Sequence, residues 1–493
     1  MIFFILIYFA SYIYILHKNL SLGLSILLFT LPLYLIRFKI FGIFPSTFLE
    51  IHILLCFSFW FLTKTNFKNF LKDLQKQDKK NTFKKYLKQL KENRKKRPAY
   101  PFTREIITVL LISYFSFLFS GQSIKAFGIW RAYFFEPLLV YILILNIFFK
   151  EINNQKKDKL VIFYEKIFFP LTLSASFLSL LAIIQKLSNK FIINNYWHFE
   201  AQRITSIFPY PNALALFLGP IFFLTCGYFL YLHFSPKDNK KKLYLYKIAC
   251  IVEILIIGIA ICLSQSKGAL LSISISFGLF AFLINKKSRI FILIIYIIFG
   301  MIIFQNPNLK NKTQELFFLK NLSGEIRKQQ WRETKDFLQD NYYNFFFGSG
   351  LANYQNKIKS YHQEGIFYNF YKDPDFKRKI VIFDEHYKKK HWQGVEIYLY
   401  PHNFFLNFWV ELGFFGMIIF TWILLRASVL NFSYFRKENT NTRFLALGTF
   451  FALQTILIHG LVDVPYFKND LSILFWILIA YSGIIELIKN SKK

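Results

Sequence analysis

Acidic residues are scarce in this chain of 493 residues. It has 28 Asp and Glu against 61 Lys and Arg, which gives a formal net charge of +33. In a soluble protein this excess would suggest a nucleic-acid partner, but no aromatic-rich nucleic-acid module accompanies it. Much of the positive charge lies in short loops between apolar runs, where Lys and Arg mark the cytoplasmic side of a membrane protein. We therefore expect a membrane protein without a nucleic-acid partner.

Cysteine is rare and shows no pattern. The four cysteines lie inside apolar runs without paired spacing, which excludes a disulfide framework and a cysteine-based metal centre. A cleavable signal peptide is not evident either, because residues 1–16 have no basic n-region and no small-residue cleavage site. This segment is predicted to be the first membrane helix.

Apolar runs long enough to cross a bilayer recur along almost the whole chain. Hydrophobic residues make up 54% of the sequence, and a spanning helix needs roughly 20 predominantly apolar residues. The predicted fold class is all-α, a polytopic membrane helix bundle of about 12–13 spans with one long, partly helical outer loop. The candidate spans are residues 2–16, 21–36, 46–62, 105–120, 130–149, 166–185, 211–232, 247–264, 268–285, 290–305, 403–425, 445–461 and 470–488.

Basic loops orient these spans. The loops at 64–97, 150–159, 237–247, 286–289, 436–443 and 492–493 are predicted to be cytoplasmic, and the alternation is consistent from the fourth span onward. The early spans leave two arrangements open: thirteen spans with residue 1 outside, or twelve with both ends inside. The expected location is the inner (cytoplasmic) membrane, with the active site facing outward.

Three parts of the chain are predicted from this layout. Residues 1–304 form a membrane helix bundle that includes a basic, amphipathic cytoplasmic segment at 63–103. Residues 305–402 form a large extracytoplasmic loop, with a helical stretch from Glu325 to Leu338 and a glycine-rich turn at Gly348 to Gly350. Residues 403–493 form the C-terminal membrane helices.

Polar residues suited to chemistry gather at the predicted outer face. Arg203, Lys267 and His402 each lie where a span meets an outer loop, and His459 and Asp463 occupy a fourth outer segment. Each residue alone has an ordinary structural explanation, because a basic residue at a helix end commonly reaches toward the interface. Their shared placement on one side of the membrane is the informative feature.

Such a set suits glycosyl transfer from a polyprenyl pyrophosphate. The leaving diphosphate develops negative charge, which fixed cations such as Arg203 and Lys267 can stabilise. The outer loops offer no cluster of carboxylates suited to Mg²⁺, so no metal and no cofactor are expected. The acceptor hydroxyl needs a base near neutral pH, and His402 at the membrane edge fits that need.

Several segments resemble the O-antigen ligase and polymerase superfamily, in the order that family has them. RITSIFPYPNALA resembles its R-x-x-(G/S)-x-F-x-x-P-N-x-x-A segment, and LSQSKGALLS is similar to its S-R-G-A turn. Arg327 and Trp331, followed by FFFGSGLANY, resemble a stretch of its large outer loop. PHNFFLNFWVELGFFG closely matches the signature H-N-x-x-L-x-x-x-x-E-x-G-x-x-G, and HGLVDVPYF matches the closing H-x-x-x-D.

The resemblance implies a metal-independent membrane glycosyltransferase that inverts the anomeric centre. It implies that Arg203 and Lys267 bind the donor pyrophosphate, that His402 is the catalytic base and that Asp463 belongs to the same pocket. The family usually has Arg where Lys267 stands, so this chain keeps the charge but loses the two-pronged guanidinium. Further supporting candidates are His459, Asn403, Glu411, Arg327 and Arg131. Of these, Asn403 is also well placed as a helix cap.

Several functions remain open. Ligation of a polyprenyl-linked glycan to a lipid acceptor is preferred, with polymerisation of repeat units, or transfer to a protein, as alternatives within the same architecture. A transporter of lipid-linked glycans is the alternative from another class. It predicts ionisable residues at the membrane midplane and related halves, whereas the candidate residues crowd the outer rim.

Overall fold

The structure, a computed structural model, describes residues 2–40, 44–64, 100–121, 123–152, 158–235, 240–382 and 384–491. Most of the predicted basic segment at 63–103 lies outside the described residues. The same holds for all or part of the predicted cytoplasmic loops at 150–159, 237–247 and 492–493.

The described residues are mainly helical, with two short pairs of antiparallel strands. Strand β1 (Arg37–Ile40) pairs with β2 (Phe44–Thr47), and β3 (Gly365–Phe367) pairs with β4 (Trp392–Gly394). Shorter 3₁₀ or π-helical segments are Leu31–Leu35, Arg131–Phe135, Tyr164–Phe168, Tyr196–Glu200 and Lys359–Tyr361. The α-helices are α1 (Ile2–Lys18), α2 (Leu20–Phe29), α3 (Phe48–Lys64), α4 (Thr103–Phe119), α5 (Ile124–Trp130), α6 (Glu136–Ile152), α7 (Lys159–Phe163), α8 (Phe169–Ser188), α9 (Pro211–Phe234), α10 (Lys240–Ser264), α11 (Lys267–Ile284), α12 (Lys286–Gln305), α13 (Pro307–Phe317), α14 (Leu322–Gln339), α15 (Tyr342–Phe347), α16 (Tyr354–Ile358), α17 (Phe376–Val381), α18 (Glu385–His391), α19 (Phe404–Lys437), α20 (Arg443–His459) and α21 (Asn469–Ser491).

Eight helical stretches in the described part of the chain are long and apolar enough to cross a membrane. Helices α2, α20 and most of α3 are apolar but shorter. The predicted fold class is therefore confirmed: the chain is an all-α, polytopic helix bundle. The eight long stretches are Ile124–Ile147, Lys159–Ser188, Pro211–Phe234, Leu243–Ser264, Lys267–Ile284, Lys286–Gln305, Phe404–Lys437 and Asn469–Asn490.

The prediction that residues 21–36 form one membrane-spanning helix is wrong. Helix α2 has only ten residues and ends at Phe29, after which the chain forms the 3₁₀ segment Leu31–Leu35 and strand β1. Ten helical residues rise about 15 Å, which is half of the roughly 30 Å apolar core of a bilayer. Pro32, which cannot continue an α-helical hydrogen-bond ladder, lies at the break. The short helix favours the arrangement with twelve spans.

Helix α9 occupies the centre of the bundle, where it packs closely against α20. In the most apolar stretch of this helix, 89% is buried inside the protein. Gly227 of α9 faces Gly448 of α20, and a Cβ built on Gly227 would lie 2.7 Å from the Cα of Gly448. Small residues at such a crossing let two membrane helices approach backbone to backbone. Because α20 ends at His459 and α9 begins at Pro211, eight residues after Arg203, this packing brings two predicted site segments together.

The segment between α12 and α19 folds back onto a kink in α19. Gly413 interrupts the helix with φ 78° and ψ 178°, and any Cβ there would lie 2.0 Å from the carbonyl oxygen of Phe346. Ser349 N donates to the carbonyl of Val410 at 2.7 Å, and Trp409 Nε1 donates to the carbonyl of Phe345 at 2.8 Å. The glycine-rich turn and the kinked helix are therefore one docking unit, and the predicted helical stretch before them is confirmed as α14.

Candidate functional site

A polar cleft of about 810 Å³ lies at the end of the bundle where the segment before α19 re-enters the helices. Its walls come from six separate parts of the sequence, and it is called the His402 cleft below. Six of the residues singled out from the sequence line it: Arg203, Lys267, Arg327, His402, His459 and Asp463.

His402 is held from both sides at the start of α19. Its backbone has φ 46°, an uncommon left-handed conformation for a residue with a side chain. The preceding carbonyl, of Pro401, accepts a hydrogen bond from Trp331 Nε1 of α14 at 2.8 Å. On the other side, Phe404 N donates to the carbonyl of Gly460 at 2.7 Å. The imidazole position is therefore fixed between α14 and the turn that follows α20.

Asp463 lies beside the inner nitrogen of His402. The distance from His402 Nδ1 to Asp463 Oδ1 is 3.6 Å, and the carboxylate is almost fully buried. Burial by itself would raise the pKa of Asp463, but the adjacent His402, together with His459 and Arg327, holds it below its usual range. At 3.6 Å the imidazole and the carboxylate are in contact without a direct hydrogen bond. An ionised carboxylate at Nδ1 favours the tautomer with the proton on that nitrogen. The other nitrogen, Nε2, is then able to accept a proton.

Asn212 joins Asp463 to Arg203. Asn212 Nδ2 donates to Asp463 Oδ2 at 2.9 Å, and its Oδ1 accepts from Arg203 Nη2 at 2.8 Å. Arg203 Nε donates to the carbonyl of Ser264 at 2.9 Å, at the C-terminal end of α10, where carbonyls have no helical partner. A continuous polar chain thus runs from His402 to Arg203.

Lys267 enters the same cleft at the first turn of α11. It is exposed and follows a tight turn in which Gln265 has φ 48°. The next residue, Gly268, lies against the imidazole of His459: a Cβ built there would approach His459 Cδ2 to 3.0 Å and Val462 Cγ2 to 2.8 Å. Glycine therefore allows the start of α11 to lie against the turn that carries Asp463.

The three cations of the cleft form no direct ion pair with a carboxylate of the described residues. Among the described residues, no ion pair joins Arg203, Lys267 or Arg327 to an acidic side chain. Arg327 Nη1 donates to Ser323 Oγ at 2.8 Å, while its Nε is buried without a hydrogen bond. Burial lowers the pKa of Arg203, and the positive charge of Arg327 lowers it further. The two guanidinium groups repel each other, so an anion bound between them would be stabilised by both.

An aromatic wall, which the sequence alone did not reveal, supports the imidazole. The rings of Tyr398 and Tyr400 lie edge-on to His402, with centroids 5.4 and 5.0 Å away. The hydroxyl of Tyr400 is 3.0 Å from that of Tyr210. Lys468 Nζ lies 4.0 Å from the centre of the Tyr210 ring. It is buried without a hydrogen-bond partner in the described part of the chain, and burial lowers its pKa to about 8.

Three of the predicted site residues do not line the cleft. Asn403 caps α19, since its Oδ1 accepts from Phe405 N and Leu406 N at 3.0 Å. Glu411 is buried below and accepts from Ala352 N at 2.9 Å, which ties the glycine-rich turn to α19. Arg131 is held elsewhere, with Nη2 2.8 Å from Glu50 and Nε 3.3 Å from Glu136.

Two further residues of the cleft were missed. Asn212 looked like part of a sequence motif only, and its bridging role becomes visible once α9 is placed beside Asp463. Glu396 lines the cleft from the segment before α19 and adds a second carboxylate. Within the described ranges no group of three or more His, Cys, Asp or Glu side chains is arranged to hold a metal ion.

The fold and the cleft define a multi-pass membrane protein with a polar site at one end of its helix bundle. Residues 253–421 of this chain match the family model described as O-antigen ligase. This match confirms the resemblance to the O-antigen ligase superfamily and supports a membrane glycosyltransferase. It includes Lys267, Arg327 and His402, whereas Arg203 and Asp463 lie outside it. No curated protein matches the chain.

Proposed function

We propose that this protein transfers a glycan from a polyprenyl-pyrophosphate donor to an acceptor, as an O-antigen ligase does, at the outer face of the inner membrane. The observation that carries the proposal is the joint geometry of the His402 cleft. One imidazole backed by a buried carboxylate faces the same space as three cations that form no ion pair within the described part of the chain.

In the proposed step, His402 acts on the acceptor hydroxyl. Its Nε2 takes the hydroxyl proton while the oxygen attacks the anomeric carbon of the donor sugar. Asp463 keeps the proton on Nδ1 and stabilises the imidazolium that forms. The new bond joins the acceptor oxygen to the anomeric carbon with inversion, and the proton later passes from His402 to water.

The cations act on the other side of the anomeric carbon. As the bond from that carbon to the pyrophosphate oxygen breaks, its electron pair leaves with the polyprenyl pyrophosphate. Arg203, Lys267 and Arg327 would stabilise this charge without a metal ion. Because both arginines are held by hydrogen bonds to neutral groups, they need little reorganisation when the charge develops.

The direct test is glycan transfer in membranes that contain the polyprenyl-linked pool, with His402→Ala compared with wild type. We expect transfer to fall by about 10²–10⁴-fold, the usual contribution of a positioned general base. The matched control is His386→Ala, an exposed histidine of α18 away from the cleft. The proposal fails if His402→Ala transfers at the wild-type rate while present in the membrane at the same level.

The acceptor class requires a second readout. A ligase joins the finished glycan to a lipid acceptor, so the products should keep the length distribution of the donor pool. A polymerase lengthens the donor-linked chain, and a protein glycosyltransferase labels polypeptide. Sizing the products on lipid, on donor and on protein separates the three activities, and we expect label on the lipid acceptor.

A further inference from the structure

A second cavity lies at the opposite end of the bundle from the His402 cleft. It is a groove of about 600 Å³ between the C-terminal half of α19 and helix α20. Leu425, Val429, Phe432 and Phe450 form its apolar walls. Helix α19 begins beside His402 and ends at Lys437, and the groove lies along its second half, from Leu425 onward.

The groove is apolar along its length and basic at its end. Arg436 and Lys437, the last two residues of α19, line it and are exposed. In the described part of the chain neither of them forms an ion pair. Ser433, one helical turn before Lys437, also lines the groove and offers a hydroxyl beside the two cations. An anion at this end would meet two positive charges and a donor.

The depth of the groove matches one leaflet of a membrane. Arg436 and Leu425 are eleven residues apart on α19, which corresponds to about 16 Å along the helix. Half of a bilayer's apolar core is roughly 15 Å thick. Leu425 and Val429 are 48% and 66% exposed, and the rings of Phe432 and Phe450, 5.2 Å apart, form the back of the groove. An acyl chain fits along this surface.

Polar groups deeper in the groove are already satisfied. Gln454 Nε2 donates to Ser428 Oγ at 3.0 Å, so these two side chains pair with each other across α19 and α20. The cations at the membrane boundary therefore remain the groups that can select a ligand. Basic pockets between transmembrane helices are typical binding sites for anionic lipid headgroups.

We propose that this groove binds one anionic diacyl phospholipid from the leaflet opposite the His402 cleft. The phosphate would lie against Arg436, Lys437 and Ser433, and an acyl chain would run past Val429 toward Leu425. The proposal is independent of the glycosyl transfer, because none of these residues lines the His402 cleft.

The test uses the purified full-length chain in detergent, with native mass spectrometry of retained lipid and titration with phosphatidylglycerol or phosphatidylcholine. We expect wild type to retain phosphatidylglycerol preferentially. The double variant Arg436→Gln with Lys437→Gln should bind it about 30-fold more weakly. The control is Lys286→Gln with Lys287→Gln, an exposed basic pair at the same end on α12 that does not line the groove. Its binding should stay within about 3-fold of wild type.

A third variant tests the contact with the acyl chain independently of the two cations. Val429→Trp keeps both cations and fills the groove, so it should also lose retained phosphatidylglycerol. Three results would overturn the proposal: an equal loss in the α12 control pair, unchanged lipid retention in Val429→Trp, or equally tight binding of inorganic phosphate. Retention of a polyprenyl phosphate in place of the diacyl lipid would overturn it as well.

Discussion

Arginines in this helix bundle have two contrasting electrostatic surroundings. Arg426 joins α19 to Glu105 of α4 and to Glu486 of α21, where Nη2 lies 2.7 Å from Oε1. Arg131 likewise lies between Glu50 and Glu136. Each of these guanidinium groups touches two carboxylates and links helices that are distant in sequence.

The cations of the His402 cleft are different. Arg203 donates to a backbone carbonyl and an amide oxygen, and Arg327 donates to a serine. Hydrogen bonds to neutral groups position a guanidinium but leave its charge uncompensated. Positive charge that is fixed in place and not neutralised is what an anionic leaving group requires. The contrast therefore separates arginines that hold the fold together from arginines that would bind a substrate.

The largest expected effect contrasts one arginine of each kind. Arg203→Gln should lower glycan transfer by about 10²–10³-fold, as the loss of a preorganised donor to a developing charge does. The protein should keep most of its thermal stability. Arg426→Gln should behave in the opposite way and cost about 3 kcal/mol of stability, because it leaves Glu105 and Glu486 unpaired. Transfer rates per folded molecule, together with melting curves of both variants, measure the difference.

The distinction between the two kinds of arginine is wrong if Arg203→Gln and Arg426→Gln lose stability to the same degree. It also breaks if Arg426→Gln lowers transfer per folded molecule as strongly as Arg203→Gln. Either result would mean that the carboxylate partners do not distinguish the two kinds of arginine.

Lys468 is a third kind of cation, one that is buried without a hydrogen-bond partner among the described residues. Its effect should be visible in how the stability of the protein depends on pH. Its buried ammonium has a pKa of about 8 in the folded protein, below the usual lysine value of roughly 10.4. Between these values the unfolded chain binds more protons at Lys468 than the folded one, so this group alone contributes a rise in stability with pH of about 3 kcal/mol across this window. Lys468→Met should remove that contribution.

Chemical or thermal unfolding at pH 7.5, 9 and 10.5 measures the slope. The control is Lys335→Met, an exposed lysine of α14, which should keep the wild-type dependence on pH. Equal slopes for wild type and Lys468→Met would show that the Lys468 ammonium is not held in an unfavourable environment.

The smallest effect is expected at Lys267. Lys267→Arg restores the residue that the O-antigen ligase superfamily usually has there. Its guanidinium group can donate two parallel hydrogen bonds to a phosphate. Because the charge is unchanged and the position is exposed, transfer should change by about 3-fold or less. Initial rates at several donor concentrations test this, and an inactive Lys267→Arg would indicate that the start of α11 is shaped for an ammonium group.

Much of the bundle and the main cleft residues were predictable, for a physical reason. A helix that crosses a membrane fixes the side on which each of its ends emerges, so Arg203, Lys267, His402 and Asp463 could be assigned to one face. The cleft that they line in the structure agrees with that assignment. Their chemical roles stay predictions.

Other features of the structure depend on contacts between distant residues, which the pattern of polar and apolar residues in the sequence does not predict. Lys468 is one lysine among many in a basic sequence, and its burial depends on Tyr210, more than 250 residues away. The docking of Phe346 against Gly413 likewise joins two motifs that looked independent. The length of α2 was misjudged because an apolar run continues through Pro32 although the helix does not.

We propose that the reaction uses the uncompensated positive charge of the His402 cleft, and Ser323 allows a direct measurement. Ser323 Oγ accepts from Arg327 Nη1, so Ser323→Asp would give that arginine a carboxylate partner, and Ser323→Asn is the neutral control of nearly equal shape. We predict that Ser323→Asp lowers glycan transfer by about 10-fold or more, whereas Ser323→Asn stays close to wild type. Equal transfer by the two variants would show that the reaction does not depend on the uncompensated charge of Arg327.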